Sequence, residues 1–307
     1  MGSVHVPALD LKTVLSSAQL PALPQSAIRL LELSQDPENG PTEFASPIES
    51  DPGLTGQVLR FVNSSYFGFS REIASVKLAI TLVGIRTIKN FALWSAVFSL
   101  MPNPKCGPFD LKSLWQDSLR RALFARSIAQ FLGMKEAEEP FAAALLQDMA
   151  IPLLAKEAPE AYLHLLEARQ EGRNRLSQLE EEAFDWNHAQ AAGMMARQWN
   201  LPESFARLVE AHLCVDRWID QPAEHPDCLA VALSALLPAA NDPAWPECEQ
   251  LQAYYARICP AAPDSLPGLL AKTDADFDQF APVLKMTAPA KSLVDWYRGA
   301  DTADAAV

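Results

Sequence analysis

Apolar positions recur along this chain at i, i+3 and i+4, and period-2 alternation over several residues is hard to find, so the pattern predicts helix after helix and no sheet. After Leu23-Pro24, the stretch SAIRLLELSQD places Leu20, Ile28 and Leu31 at helical spacing, and QDPENGP (35–41) ends it with turn residues. Ser50 or Asp51 caps a following helix with Pro52 in its first turn, where a missing N–H costs nothing. Leu54, Val58, Leu59 and Val62 form its apolar face, and Asn63-Ser64-Ser65 stops it. ASVKLAITLVGIRTIKNFALWSAVFSLM reads as two helices joined at or near Gly84. MPNPKCGPFD (101–110), rich in Pro and Gly, marks a lobe boundary.

Beyond that boundary come LKSLWQDSLRRALFARSIAQF, stopped by Gly133, and one buried helix over FAAALLQDMAIPLLA (141–155). Then follow AYLHLLEARQEG, the helix HAQAAGMMARQWN capped by Asp185 or Asn187, and one opened by Leu201-Pro202-Glu203. CLAVALSALL and SLPGLLAKT carry further helical faces, and the last residues, GADTADAAV, are expected to fray. The fold class is all-α: a two-lobed helical bundle. Its expected organisation is a flexible N-terminus over 1–14, a domain over 15–285 with lobes at about 15–103 and 108–285, and a C-terminal tail over 286–307.

Composition narrows the class. Of 307 residues, 49% are hydrophobic and 21% charged, which supports a packed core. A net charge of -13 disfavours phosphate backbones and anionic membranes as partners. Five widely spaced cysteines without a CxxC make neither a disulfide framework nor a zinc knuckle, so reduced thiols and a cytoplasmic location are expected. No secretory signal is visible, and the longest apolar stretch, FALWSAVFSLM (91–101), is too short to span a bilayer.

Few residues carry candidate chemistry. Asp148 shares a face with Phe141, Ala144 and Leu145, and a carboxylate there costs several kcal/mol unless paired, hydrogen-bonded or metal-bound. Asp117 reads as half of an exposed i,i+4 ion pair with Arg121, and the basic pair Arg120-Arg121 as helix surface. His188 and His212 sit on apolar faces. Single histidines in such places are more often satisfied core residues than ligands, so they are marked only as cleft residues. His5, His164 and His225 read as surface or helix-face positions. The rings of Phe61, Tyr66, Phe67 and Phe69 in FVNSSYFGF read as filling the interface between the expected lobes rather than as an exposed contact surface.

Four runs now matter together. SDPGLTGQVLRFVNSSYFGFSREIASVKLAITLVGIRTIKNFAL, the entry LPALPQSAIRLLELSQDP, and the later FAAALLQDMA with WNHAQAAGMMARQWNLPESFARLVEAH resemble the HDOD family, the HD-related output domain, in the same order over residues 15–285. The resemblance implies an all-helical relative of metal-dependent HD phosphohydrolases, whose ligands are an early histidine, a His-Asp doublet and a distal aspartate. Those positions fall here at Asp117, Gln147-Asp148 and Ala235. Only Asp148 survives in kind, so the resemblance implies a degenerate site in an HD-like C-terminal lobe, with Asp148 kept for structural hydrogen bonds. No metal, no cofactor and no catalysis are expected. An unorthodox site would have to come from Asp117, Asp148, His188 and His212.

The function implied is a non-enzymatic bacterial signalling output or scaffold that acts on other signalling proteins. No receiver, GGDEF, EAL or kinase segment is obvious in the sequence, so its input is expected from another protein, a small ligand or its own assembly. One alternative is a metal-dependent phosphohydrolase acting on nucleotides. Another is a DNA-binding regulator, from the helix–turn–helix cadence at Gly84 with Arg86 and Lys89 behind it. A cyclic dinucleotide is a conceivable ligand for which no arginine-rich motif argues.

Overall fold

The computed structural model describes residues 9–18, 20–262, 265–282 and 284–304, with only the backbone for 300–304. Among them all regular structure is helical. In chain order the helices are α1 (Leu11–Ser17), α2 (Gln25–Leu33), α3 (Pro41–Glu49), α4 (Pro52–Val62), α5 (Val76–Val83), α6 (Ile85–Leu100), α7 (Leu111–Phe131), α8 (Glu138–Leu146) and α9 (Ala150–Glu157). They continue as α10 (Pro159–Ala168), α11 (Leu176–Phe184), α12 (His188–Gln198), α13 (Glu203–Ala211), α14 (Val215–Trp218), α15 (Pro226–Ser234), α16 (Cys248–Ile258), α17 (Leu266–Phe280) and α18 (Leu293–Asp304). They form two compact units. One holds residues 21–100 and 275–288, the other 1–20, 101–274 and 289–307.

In the smaller unit, Asp51 is the N-cap of α4: its carboxylate accepts from Leu54 N at 3.0 Å and from the Ser26 hydroxyl at 3.0 Å, with Pro52 at the first helical position. Ile48, Val58, Val62, Ile80 and Ile88 are buried in its core. Asn63 pins the NSSYFG loop. Its amide donates to Leu59 O and Ile73 O at 2.9 and 2.8 Å, and its oxygen accepts from Ile73 N at 2.7 Å. Phe61 stacks on Phe91 with centroids 4.1 Å apart and meets Phe67 edge-on at 5.0 Å, while Tyr66 lies 4.2 Å from Phe280. Of these rings Phe61 is buried, Tyr66 and Phe67 are half-buried, and Phe69 is exposed. Gly84, at φ 91°, joins α5 to α6, a conformation that L side chains rarely adopt.

In the larger unit, α7 is the central helix. Asp110 caps it, accepting from Ser113 N at 3.0 Å, and Gly133 follows its end at φ 85°. Ser118, Ala122, Ala125 and Ala129 present small surfaces, while Leu119, Leu123, Phe124 and Ile128 are completely buried, each such side chain contributing about 1.5–3 kcal/mol. α8 and α15 pack directly on α7, and α13 on α8, α12 and α15. Asn187 is the cap of α12, in a capping box with Gln190, whereas Asp185 ends α11 in the left-handed region.

Three expectations need correction here. The FAAALLQDMA run is two helices, α8 and α9, because residues 147–149 form a tight turn with i→i+3 bonds such as Met149 N to Leu146 O at 3.0 Å. The expected C-terminal tail contains α18, whose first N–H groups, of Leu293 and Val294, donate to Asp274 at 3.0 and 3.2 Å, with Leu293 and Trp296 buried. Within the expected flexible start, the Leu9 carbonyl accepts from Trp186 Nε1 at 2.6 Å and α1 follows it. His5 lies outside the described residues.

Candidate functional site

A cavity of about 490 Å³ opens in the larger unit, and all four positions aligned with the HD ligands line it: Asp117 on α7, Gln147 and Asp148 in the α8–α9 turn, and Ala235 at the end of α15. His188, the first residue of α12, and His212, the cap that ends α13, reach the same wall. Close packing by the alanines of α8 brings this turn against α7, and Arg121 reaches across the gap.

Asp148 is the hub. Its Oδ2 accepts from Arg121 Nη1, and its Oδ1 lies 3.4 Å from His188 Nε2 and 3.7 Å from His212 Nε2. The two imidazole Nε2 atoms are 3.3 Å apart. The Nδ1 atoms are held from behind. His188 Nδ1 lies 2.6 Å from Glu180 Oε2, which also accepts from His188 N at 2.8 Å, and His212 Nδ1 lies 2.6 Å from Val209 O. Carboxylate and carbonyl only accept, so each Nδ1 carries a hydrogen and each Nε2 turns toward Asp148. Glu180 is completely buried and also accepts from Tyr162 Oη at 2.8 Å.

Burial works against ionising Asp148, but the Arg121 guanidinium and then the two histidines outweigh it and hold its carboxyl well below the usual range. Burial likewise opposes a charged His188, yet Glu180 and Asp148 raise it to about 9, so it is cationic at neutral pH. For His212 burial wins: Asp148 pulls upward, the His188 charge pushes down, and the pKa falls to about 3. Burial lifts Asp117 to about 7 against the pull of Arg121.

Two further expectations are corrected. Asp117 is not an exposed partner of Arg121. It is buried and accepts from Ala240 N at 2.7 Å, while Arg121 turns to Asp148. Nor is the Arg120-Arg121 pair helix surface: Arg120 is buried, donating to Lys291 O and lying 3.7 Å from Asp274. His188 and His212 are satisfied core residues as well as cleft residues, since their Nδ1 atoms have partners while their Nε2 atoms face Asp148. Sequence reasoning passed over Glu180, Tyr162 and Arg175, whose guanidinium joins Ala235 O at 3.1 Å and Glu247 at 3.3 Å. Glu180 precedes His188 by eight residues across a helix end, a separation with no periodic signature.

The donor set does not fit the four-ligand centre of a catalytic HD protein. Gln147 offers a neutral amide and Ala235 a methyl, while Asp117 is engaged by a backbone N–H and one oxygen of Asp148 by a guanidinium.

A model of the HDOD domain matches residues 20–214, more than half of the chain. An HDOD domain protein of unknown function from Geobacter sulfurreducens superposes with a TM-score of 0.66 at 20% identity, over 87% of this chain and 99% of its own. A candidate signal transduction protein from Marinobacter aquaeolei VT8 gives 0.68 at 18%, over 92% and 68%. A candidate phosphohydrolase from Shewanella amazonensis SB2B gives 0.63 at 18%, over 87% and 98%. These likenesses establish the fold. An uncharacterized protein of Treponema pallidum is 23% identical over 194 residues, and this chain spans 37% of its length.

Proposed function

The chain belongs to the HDOD family, and from that premise we propose that it is a signal-transduction module that works through protein contacts and not by hydrolysing phosphate esters. The Arg121–Asp148 ion pair carries this reading. Two-cation hydrolysis needs a carboxylate able to serve both ions, which clamp the attacking and leaving oxygens. Here one oxygen of the retained aspartate already bonds a guanidinium. Asp148, Arg121, cationic His188 and Glu180 form a buried network of two negative and two positive charges, in which one oxygen of Asp148 is committed to Arg121. The naming of a fold relative as a candidate signal transduction protein agrees with this reading, and that of another as a candidate phosphohydrolase supplies the competing one. Five free cysteines suit a reducing cytoplasm, and no described helix is long and apolar enough to cross a membrane.

The test is turnover of nucleotides and cyclic dinucleotides by the purified chain with manganese or iron(II) added. No product above background is expected. Hydrolysis that disappears in Asp148→Ala would overturn the reading. Affinity capture from the native cell would then identify the contacted protein.

A further inference from the structure

We propose that Asp148 Oδ1, His188 Nε2 and His212 Nε2 form a binding site for a single divalent transition-metal ion of the zinc, cobalt or iron(II) type, with its remaining coordination open to the cavity. The site shares Asp148 and His188 with the charge network above, so a bound ion displaces the Nε2 proton of cationic His188, and a single ion is not the two-cation centre that the signalling reading excludes. The site uses a donor set different from the four aligned HD positions, since only Asp148 is shared.

Geometry carries it. The three donor atoms stand 3.3, 3.4 and 3.7 Å from one another. Two ligands on a tetrahedral zinc with bonds of about 2.0–2.1 Å are separated by about 3.3–3.4 Å. The triangle therefore has nearly the edge length that a bound ion requires, without movement of the helices that present it. Two imidazoles and one carboxylate are a donor set suited to zinc or iron(II).

The surroundings are those of ligating histidines. Such residues donate their second ring N–H to a carboxylate or a backbone carbonyl, which fixes the tautomer and aims the other nitrogen. His188 has Glu180 in that place and His212 has Val209 O, each at 2.6 Å. Glu180 is itself held by Tyr162. Arg121 occupies only Oδ2 and leaves Oδ1 directed at the imidazoles. Buried polar residues that converge in this way, on the wall of a cavity large enough for a small molecule, suit an ion whose open position accepts a water or a ligand's donor atom.

The experiment is titration of the chelator-treated full chain with Co2+, followed by visible absorption, and with Zn2+, followed by calorimetry. One equivalent of each is expected to bind, Co2+ with the intense visible bands of a four-coordinate ion. His212→Gln and Asp148→Asn are expected to weaken binding at least about a hundredfold, and Glu180→Gln, which loses only the supporting carboxylate, about 10- to 100-fold. Circular dichroism checks the fold of each variant. Should the variants not fold, X-ray absorption of the zinc-loaded wild-type chain decides. Two imidazole ligands and no sulfur are expected, whereas a sulfur-containing shell, pointing to the exposed Cys214, would overturn the assignment. Absence of saturable binding overturns it too. Metal binding and ester hydrolysis are read separately, so failure of this site leaves the signalling proposal to its own test.

Discussion

Replacing Arg121 with methionine probes the feature on which the functional reading depends. The substitution keeps length and apolar bulk and removes the guanidinium from Asp148. In the native pair the side chains are 14% and 5% exposed, so the interaction belongs to the buried class. Removing one partner of a buried pair costs about 3–5 kcal/mol, because a desolvated charge is left behind, whereas an exposed pair contributes about 0–1 kcal/mol. Asp148 keeps the His188 cation at 3.4 Å, which places the expected loss near the lower end, about 3 kcal/mol. Asp148→Asn combined with Arg121→Met should cost less than the sum of the single changes, with a coupling of about 1–3 kcal/mol. Urea unfolding read by tryptophan fluorescence is the assay. Of the seven tryptophans only Trp94 lies in the smaller unit, so the signal reports mainly on the larger one. A loss below about 1 kcal/mol in Arg121→Met, or strict additivity in the double variant, would refute the reasoning.

Further outcomes follow from other residues. Asn63→Ala removes three hydrogen bonds that close the loop ahead of α5, and should destabilise the smaller unit by about 1–3 kcal/mol, read from the Trp94 signal in a chain whose other tryptophans are replaced. In chelator-treated protein, the folded His188 pKa of about 9 lies above the unfolded value of about 6.5. Its stabilising effect is thus complete below pH 6.5 and lost as pH rises through 9, so the stability gap between wild type and His188→Gln should narrow over that window, and a constant gap would contradict the network. Among the five free thiols only Cys214 is exposed, and a native-state reaction with a thiol reagent should modify it first. Burial pushes Cys228 up to about 12 and should leave it inert until unfolding.

Much of the fold could be read from local chemistry. The Asp51-Pro52 start, the Gly84 joint and the Asn187 cap depend on contacts within a few residues, and each is found at one of the positions the pattern offers. The joint at Gln147–Met149 was not legible, because alanine and leucine favour helix on both sides and the turn is set by packing in the larger unit. α18 was hidden for a similar reason: its N-terminus is capped by Asp274, nineteen residues away from Leu293. At the site, the aligned positions identified the cavity wall, but not how its charges pair. Arg121 has an aspartate four residues before it and another on the α8–α9 turn, and spacing alone favours the former. Burial decides for the latter, since Asp117 is taken by Ala240 N. The partners behind the histidines were equally invisible, one a buried glutamate across a helix boundary, the other a backbone carbonyl.

The most direct test of the central claim is to measure bound metal and phosphodiester turnover on one preparation of the intact chain, loaded with manganese or iron(II). Single-ion occupancy with no hydrolysis is the predicted result. Two bound ions per chain together with turnover that vanishes in Asp148→Ala would contradict it.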